Sequence, residues 1–559
     1  MSFYGPPNYT VYNSTNVCLY SVPEGWRTFN VPPEVEIIRP NAFAKASNTL
    51  LRVLFIHSSL TKIRHSAFCN CSRLLWLNFS QCSNLKEIGK NAFLGCSSLS
   101  YLVLPQSIQS VKDYAFSQCR SLTNLYIDNT SELSYIGKRA FENTAIITFF
   151  ITNNLKFIGD NAFFDSKMKN FEINKWHKYF TNYSGALYTK DLKTLVHYPK
   201  ELITDQFNFS TETENIQPFS FINVNTIDKI KLSPSIKELK NETFANSQIQ
   251  TFDFTQAVNL ESIGYKCFYK NDRIRTINFK TNNKLKIIGE YAFYGCTSLK
   301  HVKLSSSVEK ISDFAFSNCI SLQNIEFPKI SELQYIGKYS FNNTNISIFY
   351  IGNKVSSLCE GFIEYSNNLQ LFNVNTDNHL FTSENGVLYT KNHTILIKYP
   401  SKYGKEYYIP HKDILELQDH CFYLANNLIE IRLPQSLLKI GEQAFMSSGL
   451  QLIEFPNSLT SVGAAAFMNC KDLKFANVKG NIMDIASSCF KNCKSLNVVY
   501  IDNSIVSLGE NCFENCNSIK CITAPFHLRS IIKKMGIVTE AFNRKCIIPK
   551  SKFKNDDEL

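Results

Sequence analysis

The sequence predicts an α/β repeat solenoid with one short parallel strand and about one helical turn per rung. Three observations lead there: one apolar step recurs along nearly the whole chain, its period is almost constant, and each copy is too small to bury its own apolar residues. At 559 residues the chain exceeds what one globular core supports, because single cores stop growing near ~250 to 300 residues. It must therefore divide or repeat. An apolar fraction of 44%, with 44 Phe and 27 Tyr, is enough for an extensive core and excludes a mostly disordered chain.

The recurring step is an Ile, Leu or Val followed five residues later by Phe, as in IGKNAF ending at Phe93, VKDYAF at Phe116, IGEYAF at Phe293 and IGEQAF at Phe445. It also ends at Phe43, Phe68, Phe141, Phe163, Phe221, Phe244, Phe268, Phe316, Phe341, Phe422, Phe467, Phe490 and Phe513, seventeen times in all. Most successive phenylalanines lie 22 to 25 residues apart, a spacing that predicts a leucine-rich-repeat horseshoe. After each Phe comes a polar pair, often a Cys, then an L-x-x-[ILV]-x-[LIF] segment such as Leu99, Leu102 and Leu104 or Leu428, Ile431 and Leu433. Its last two apolar positions alternate as a strand requires. Pro105, Pro328, Pro434 and Pro456 follow such segments, where a missing amide donor stops the strand. The Gly of the recurring I-G suits a backbone conformation that other residues resist, and x-x-A-F is expected to form the helical turn that sends Phe inward. Rungs stacked ~4.8 Å apart would give an elongated, curved scaffold of roughly 80 Å.

A longer period overlies the short one. Leu85, Phe93, Cys96, Leu99, Phe116, Cys119, Leu133 and Phe141 each have an identical residue 200 positions later, and GALYTKDLKTLVHYP at 185–199 matches GVLYTKNHTILIKYP at 386–400. Both LYTK segments fall in long gaps of the Phe series, and each reads as two strands around a polar turn, hence two β-hairpin insertions. The expected organisation is an N-terminal cap at 1–34, repeats at 35–175, a hairpin insertion at 176–212, repeats at 213–375, a second insertion at 376–408 and repeats at 409–524. A C-terminal cap helix and basic tail then occupy 525–559.

The first thirty residues lack the basic start and continuous apolar run of a secretory signal, and polar residues punctuate every apolar run, so neither a signal peptide nor a transmembrane segment is expected. The 18 cysteines follow the repeat period, which suits buried thiols and favours a reducing compartment. The N-x-S/T sequons, beginning at Asn8 and Asn13, are what a chain rich in Asn, Ser and Thr produces by chance. The formal charge of +12 is modest for this length and excludes little.

The unit seen nearly complete in LSYLVLPQSIQSVKDYAFSQC and LIEIRLPQSLLKIGEQAF resembles the BspA-like leucine-rich-repeat family of bacteria and parasitic protists. The G-[AV]-L-Y-T-K segments are similar to those of protist members. The resemblance covers roughly residues 35 to 525. It implies a surface antigen that binds extracellular-matrix or host proteins in adhesion, and so a cell-surface location. The chain departs from the family in having no recognisable signal or anchor. An intracellular structural or regulatory scaffold is the alternative, in keeping with that departure and with the many thiols.

In a leucine-rich strand the x positions face solvent, and in the first half they are aromatic. Trp76 and Tyr101 occupy one x column, Tyr126 and Phe150 the adjacent one, with Leu75 and Val103 beside them. The six would form an apolar ligand-binding stripe of the kind that protein hot spots use, unless an insertion or the chain start covers it. The matching positions of the second half are polar: Arg275, His301, Lys303, Asn324 and Glu326. Cys489, Cys493, Cys512 and Cys516 could converge as four thiolates on zinc, but they occupy repeat positions that buried small residues fill, and no metal or cofactor is expected. Gly89, Gly137 and Gly337 in I-G-K belong to the rung and to no phosphate loop, and neither H-E-x-x-H nor G-x-S-x-G occurs. No catalytic set is predicted, and an enzyme is not expected. Lys533, Lys534, Arg544, Lys545, Lys550, Lys552 and Lys554 read as a solvated cap and tail, so no nucleic-acid partner is expected. The final Asp556, Asp557, Glu558 and Leu559 read as an accidental likeness to an endoplasmic-reticulum retrieval signal. A protein ligand is the expected partner, with no oligomeric state assigned.

Overall fold

The computed structural model describes residues 18–50, 52–55, 57–537, 539–543 and 546. The sequons at Asn8 and Asn13, the basic residues Arg544, Lys545, Lys550, Lys552 and Lys554, and residues 556–559 lie outside them. The chain comprises two compact units, Met1–Leu285 and Lys286–Leu559. Both are parallel β-solenoids of the leucine-rich-repeat type with almost no helix.

In the first unit each rung carries two strands, where the repeat had predicted one. The L-x-x-[ILV]-x segments form a parallel sheet of Thr28–Asn30, Arg52–Leu54, Trp76–Asn78, Tyr101–Val103 and Asn124–Tyr126. The second strand ends on the Ile or Val of the apolar step: Ile37–Ile38, Lys62–Ile63, Glu87–Ile88, Ser110–Val111, Tyr135–Ile136 and Phe157–Ile158 pair in parallel, with Cys18–Leu19 at the edge. Two residues are too few for alternation to register as a period, which is why these strands escape a sequence reading.

Among the described residues the predicted helical turn does not form, and the reason lies in how the third side of the rung satisfies its amides. Residues with left-handed backbone stand four apart on either side of Ala-Phe: Asn91 (φ 56°) and Gly95 (φ 76°), then Tyr114 (φ 56°) and Gln118 (φ 63°). This turns alternate amides toward the next rung, so that Asn91 N–H donates to Asp113 O (3.0 Å), Phe93 N–H to Ala115 O (2.7 Å) and Gly95 N–H to Ser117 O (2.9 Å). A helical turn would aim each amide four residues back in the same rung. Among the described residues α-helix is confined to Arg529–Lys534, with 3₁₀ turns at Phe526–Leu528 and Thr539–Asn543.

The inter-rung bonds set the spacing of the core. Phe43, Phe68, Phe93, Phe116, Phe141 and Phe163 form one column with centroids 4.0, 4.8, 5.0, 5.5 and 5.8 Å apart and interplanar angles of 18° or less. All six are buried, each contributing roughly 2 to 3 kcal/mol by transfer from water. Strand spacing near ~4.8 Å and ring stacking near that distance are compatible, so sheet and column reinforce each other.

The glycine of I-G serves close approach; its φ is not left-handed. A Cβ on Gly137 would lie 2.4 Å from the Asp113 amide nitrogen. The backbones meet so closely there that Asp113 Oδ1 accepts the Lys138 amide at 2.9 Å.

The LYTK segments contain three strands where two were expected. Phe180–Tyr183 pairs antiparallel with Ala186–Thr189 and that strand antiparallel with Thr194–His197, which then pairs in parallel with Asn215–Ile216. The third strand thus serves as the second strand of a rung. Tyr198 follows it and stacks on Phe221 at 4.7 Å, supplying the ring the Phe series lacks there, while its hydroxyl donates to Leu202 O at 3.1 Å.

The second unit repeats this plan. Phe381–Glu384 pairs antiparallel with Val387–Thr390 and that strand with Ile395–Lys398, Ile395–Lys398 pairs in parallel with Glu416–Leu417, and the Tyr399 ring lies 4.8 Å from that of Phe422, tilted by 34°. The column continues through Phe445, Phe467, Phe490 and Phe513 at 4.7 to 5.4 Å. A disulfide joins Cys521, in the strand Cys521–Thr523, to Cys546 across 25 residues, with a Cα separation of 5.5 Å.

Two consequences are measurable. Gly137→Ala forces the rung backbones apart and is expected to cost about 2 kcal/mol, while Gly404→Ala, whose Cβ meets nothing within 4 Å, leaves denaturant unfolding unchanged. Cys546→Ser opens a 25-residue loop and is expected to destabilise the C-terminal end by about 3 kcal/mol, read as faster amide exchange over 521–543.

Candidate interaction surface

The candidate surface is built on the three-residue strands of the first unit, whose middle residue points inward. Leu77 and Leu102 are fully buried, so Trp76 and Asn78, and Tyr101 and Val103, face outward and are half-buried. Trp76 lies opposite Tyr101, and Val103 opposite Tyr126. The Tyr101 and Tyr126 rings meet at 5.2 Å with their planes tilted by 45°. Tyr126 is 53% exposed.

Four of the six predicted residues, Trp76, Tyr101, Val103 and Tyr126, therefore share one sheet. Leu75 flanks it just before the strand, 40% exposed, with its carbonyl accepting the Ser100 amide at 2.9 Å. Phe150 belongs to a different sheet, the pair Thr148–Ile151 and Asn170–Ile173, where it lies opposite Glu172. The strand ladder does not run from Tyr126 to Phe150. Ile147, 47% exposed just before its strand, stands where Leu75 stands in its own rung. The repeat period could have found it.

The same strand positions of the second unit carry charge. Lys303 lies opposite Glu326, and their side chains pair at 3.0 Å. Two hundred positions earlier, that place holds Val103 and Tyr126. His301 likewise lies opposite Asn324 where Tyr101 lies opposite Asn124.

The cysteines of the A-F-x-x-C step face the core. Their thiols donate to the carbonyl of the phenylalanine one rung earlier: Cys96 to Phe68 O at 3.2 Å, Cys119 to Phe93 O at 3.3 Å, Cys493 to Phe467 O at 3.1 Å and Cys516 to Phe490 O at 3.0 Å. Cys489 and Cys512, in the Ala position, are fully buried. Loss of solvation pushes the Cys82 and Cys512 thiols up to about 12 and Cys470 to about 11. These groups stay protonated at neutral pH and are weak nucleophiles. Opposite in character is an open groove of about 540 Å³ lined by Asn469, Lys471, Asn492, Lys494, Asn515 and Asn517. Asn515 donates to Asn492 (2.8 Å) and Asn492 to Asn469 (2.9 Å). These three occupy the left-handed position of successive rungs, which Asn tolerates better than most residues.

A family model described as BspA type leucine-rich repeat region, in six copies, matches residues 36–170, 198–285, 261–387 and 415–535, more than half of the chain. Among solved structures, the chain is similar to a leucine-rich cell surface protein of Faecalibacterium prausnitzii, at 22% identity and a TM-score of 0.49, over 59% of this chain and 97% of that one. It is also similar to a leucine-rich-repeat protein of Eubacterium ventriosum, at 21% identity and a TM-score of 0.43, over 59% of this chain and 78% of the other. The pneumococcal vaccine antigen PcpA matches at 18% identity and a TM-score of 0.40, over 73% of this chain and 91% of its own. No curated protein matches the chain.

Sixteen cysteines form no disulfide, and of these Cys69 and Cys359 alone are not buried. Titration of the native protein with a thiol reagent is expected to show about two fast-reacting groups, the remainder appearing only after unfolding.

Proposed function

Because the chain belongs to the BspA-type leucine-rich-repeat family, we propose that it is a non-catalytic protein-binding scaffold acting in adhesion, holding an extracellular-matrix or host-cell-surface protein against the outward strand face of its first unit. The observation that carries this reading is the shared ladder of Trp76, Tyr101, Val103 and Tyr126. Rigid rings in register offer large apolar contact area at small entropic cost. The polar equivalents His301, Lys303, Asn324 and Glu326 have no role in the rung that aromatic residues fail to fill. The aromatic face is thus free to serve a ligand without cost to the core. The Cys521–Cys546 disulfide favours an oxidising location, and burial of the remaining thiols other than Cys69 and Cys359 shields those from oxidant there.

The test is binding of the purified chain to a panel of extracellular-matrix and host-cell-surface proteins, comparing wild type with a Trp76→Ala, Tyr101→Ala, Tyr126→Ala variant of unchanged folding. The variant is expected to bind at least tenfold more weakly, whereas a Lys303→Ala, Glu326→Ala control keeps full affinity. Undiminished binding by the triple variant overturns the assignment of this face, and absence of binding to the whole panel overturns adhesion.

A further inference from the structure

Among the described residues, Glu384, His393 and His411 gather as a set with one ligand atom from each lying within 4.8 Å of the others. They come from three separate pieces of chain. Glu384 ends the strand Phe381–Glu384, His393 sits in the turn between Val387–Thr390 and Ile395–Lys398, and His411 lies in the loop between Tyr407–Tyr408 and Glu416–Leu417. Glu384 Oε2 is 3.9 Å from His393 Nε2, and the two imidazoles stack with centroids 4.2 Å apart. The buried Tyr389 ring, 5.6 Å from His393, makes the floor, and its hydroxyl is hydrogen-bonded to that of Tyr408. The side chains of His393 and His411 are 28% and 25% exposed, so the cluster is walled on one side and open to solvent on the other.

The duplicated segment of the first unit provides an internal comparison. It has the same three antiparallel strands and the same parallel continuation. The backbone agrees in detail: Leu192 has φ 61° where His393 has φ 56°, and the Glu212 amide donates to Ser210 Oγ at 3.3 Å as the Asp413 amide does to His411 Nδ1 at 3.3 Å. Yet the three places are held by Tyr183, Leu192 and Ser210, none of which is a ligand for a borderline cation. The fold therefore does not require the Glu-His-His set, and only the second copy brings three ligating side chains to one point.

We propose that Glu384, His393 and His411 form a site for a divalent transition metal ion of the zinc class, with water in the fourth position. Two imidazole nitrogens and one carboxylate oxygen are the donor set that Zn²⁺ takes with an open tetrahedral position. Metal–ligand distances of about 2.1 Å require ligand atoms about 3.4 Å apart, so the side chains close by about 1 Å from their present separations. Half-exposed side chains do this by rotation, leaving the strands in place. A bound ion ties the turn at 391–394 to the loop that leads into Glu416–Leu417. No spacing motif announces the set in the sequence, where no metal was expected.

The experiment uses the full chain without a histidine tag, titrated with Zn²⁺ alone by calorimetry and with Co²⁺ alone by visible absorption. One equivalent is expected to bind, with a tetrahedral Co²⁺ spectrum lacking thiolate charge-transfer bands. His393→Leu and His411→Ser install the residues the sister segment carries on the same backbone, so both variants keep the fold. Each is expected to weaken binding at least tenfold, and the double variant to abolish it. The proposal is overturned if no ion binds, if binding persists in the double variant, or if the Co²⁺ complex shows sulfur ligation.

Discussion

Hydrogen bonding from one rung to the next is the constraint on which the rest of this structure depends. Two short strands and a turn with alternating amide direction present every side of a rung to its neighbour. The amides of Asn91, Phe93 and Gly95, for example, are all satisfied by the rung that follows. Because buried amides must find partners, the spacing between rungs is held on all sides, and the phenylalanine column inherits it. Stacked rings at 4.0 to 5.8 Å in the first unit are the packing consequence of a backbone decision.

That constraint explains residue choices that look unrelated. Glycine in I-G is needed where one rung's backbone runs into the next, as at Gly137 against Asp113. Asparagine recurs four residues after the first left-handed position because it tolerates that backbone and its side chain can join a ladder, as Asn469, Asn492 and Asn515 do. Cysteine recurs at the end of A-F-x-x-C because a small, weakly polar group fits the core and its S–H reaches the carbonyl of the preceding rung's phenylalanine. Where the phenylalanine series is interrupted, Tyr198 and Tyr399 enter the column, with their hydroxyls hydrogen-bonded to nearby carbonyls at Leu202 and Lys405.

Outward positions escape the constraint, and there the two duplicated halves have diverged. One pair of strand positions holds Val103 and Tyr126 in one copy and the Lys303–Glu326 ion pair in the other. One turn of left-handed backbone holds Leu192 in one copy and His393 in the other. A scaffold whose stability resides in its inward residues can change its surface rung by rung with little cost to the fold.

The sequence by itself determined the repeat, its inward phenylalanines and leucines, the parallel stacking and the strand face that carries Trp76, Tyr101, Val103 and Tyr126. Stacking in one dimension converts a period along the chain into neighbours in space, so a regular spacing of apolar residues suffices to read those features. Only the tertiary structure decided the second strand of each rung, the left-handed turn in place of a helical one and the separation of Phe150 from the sheet of Tyr126. It also decided the pairing of Cys521 with Cys546 and the meeting of Glu384, His393 and His411. These depend on the sign of a backbone angle, on which amides face the next rung and on contacts between segments outside the repeat register, and a pattern of apolar residues carries none of that information.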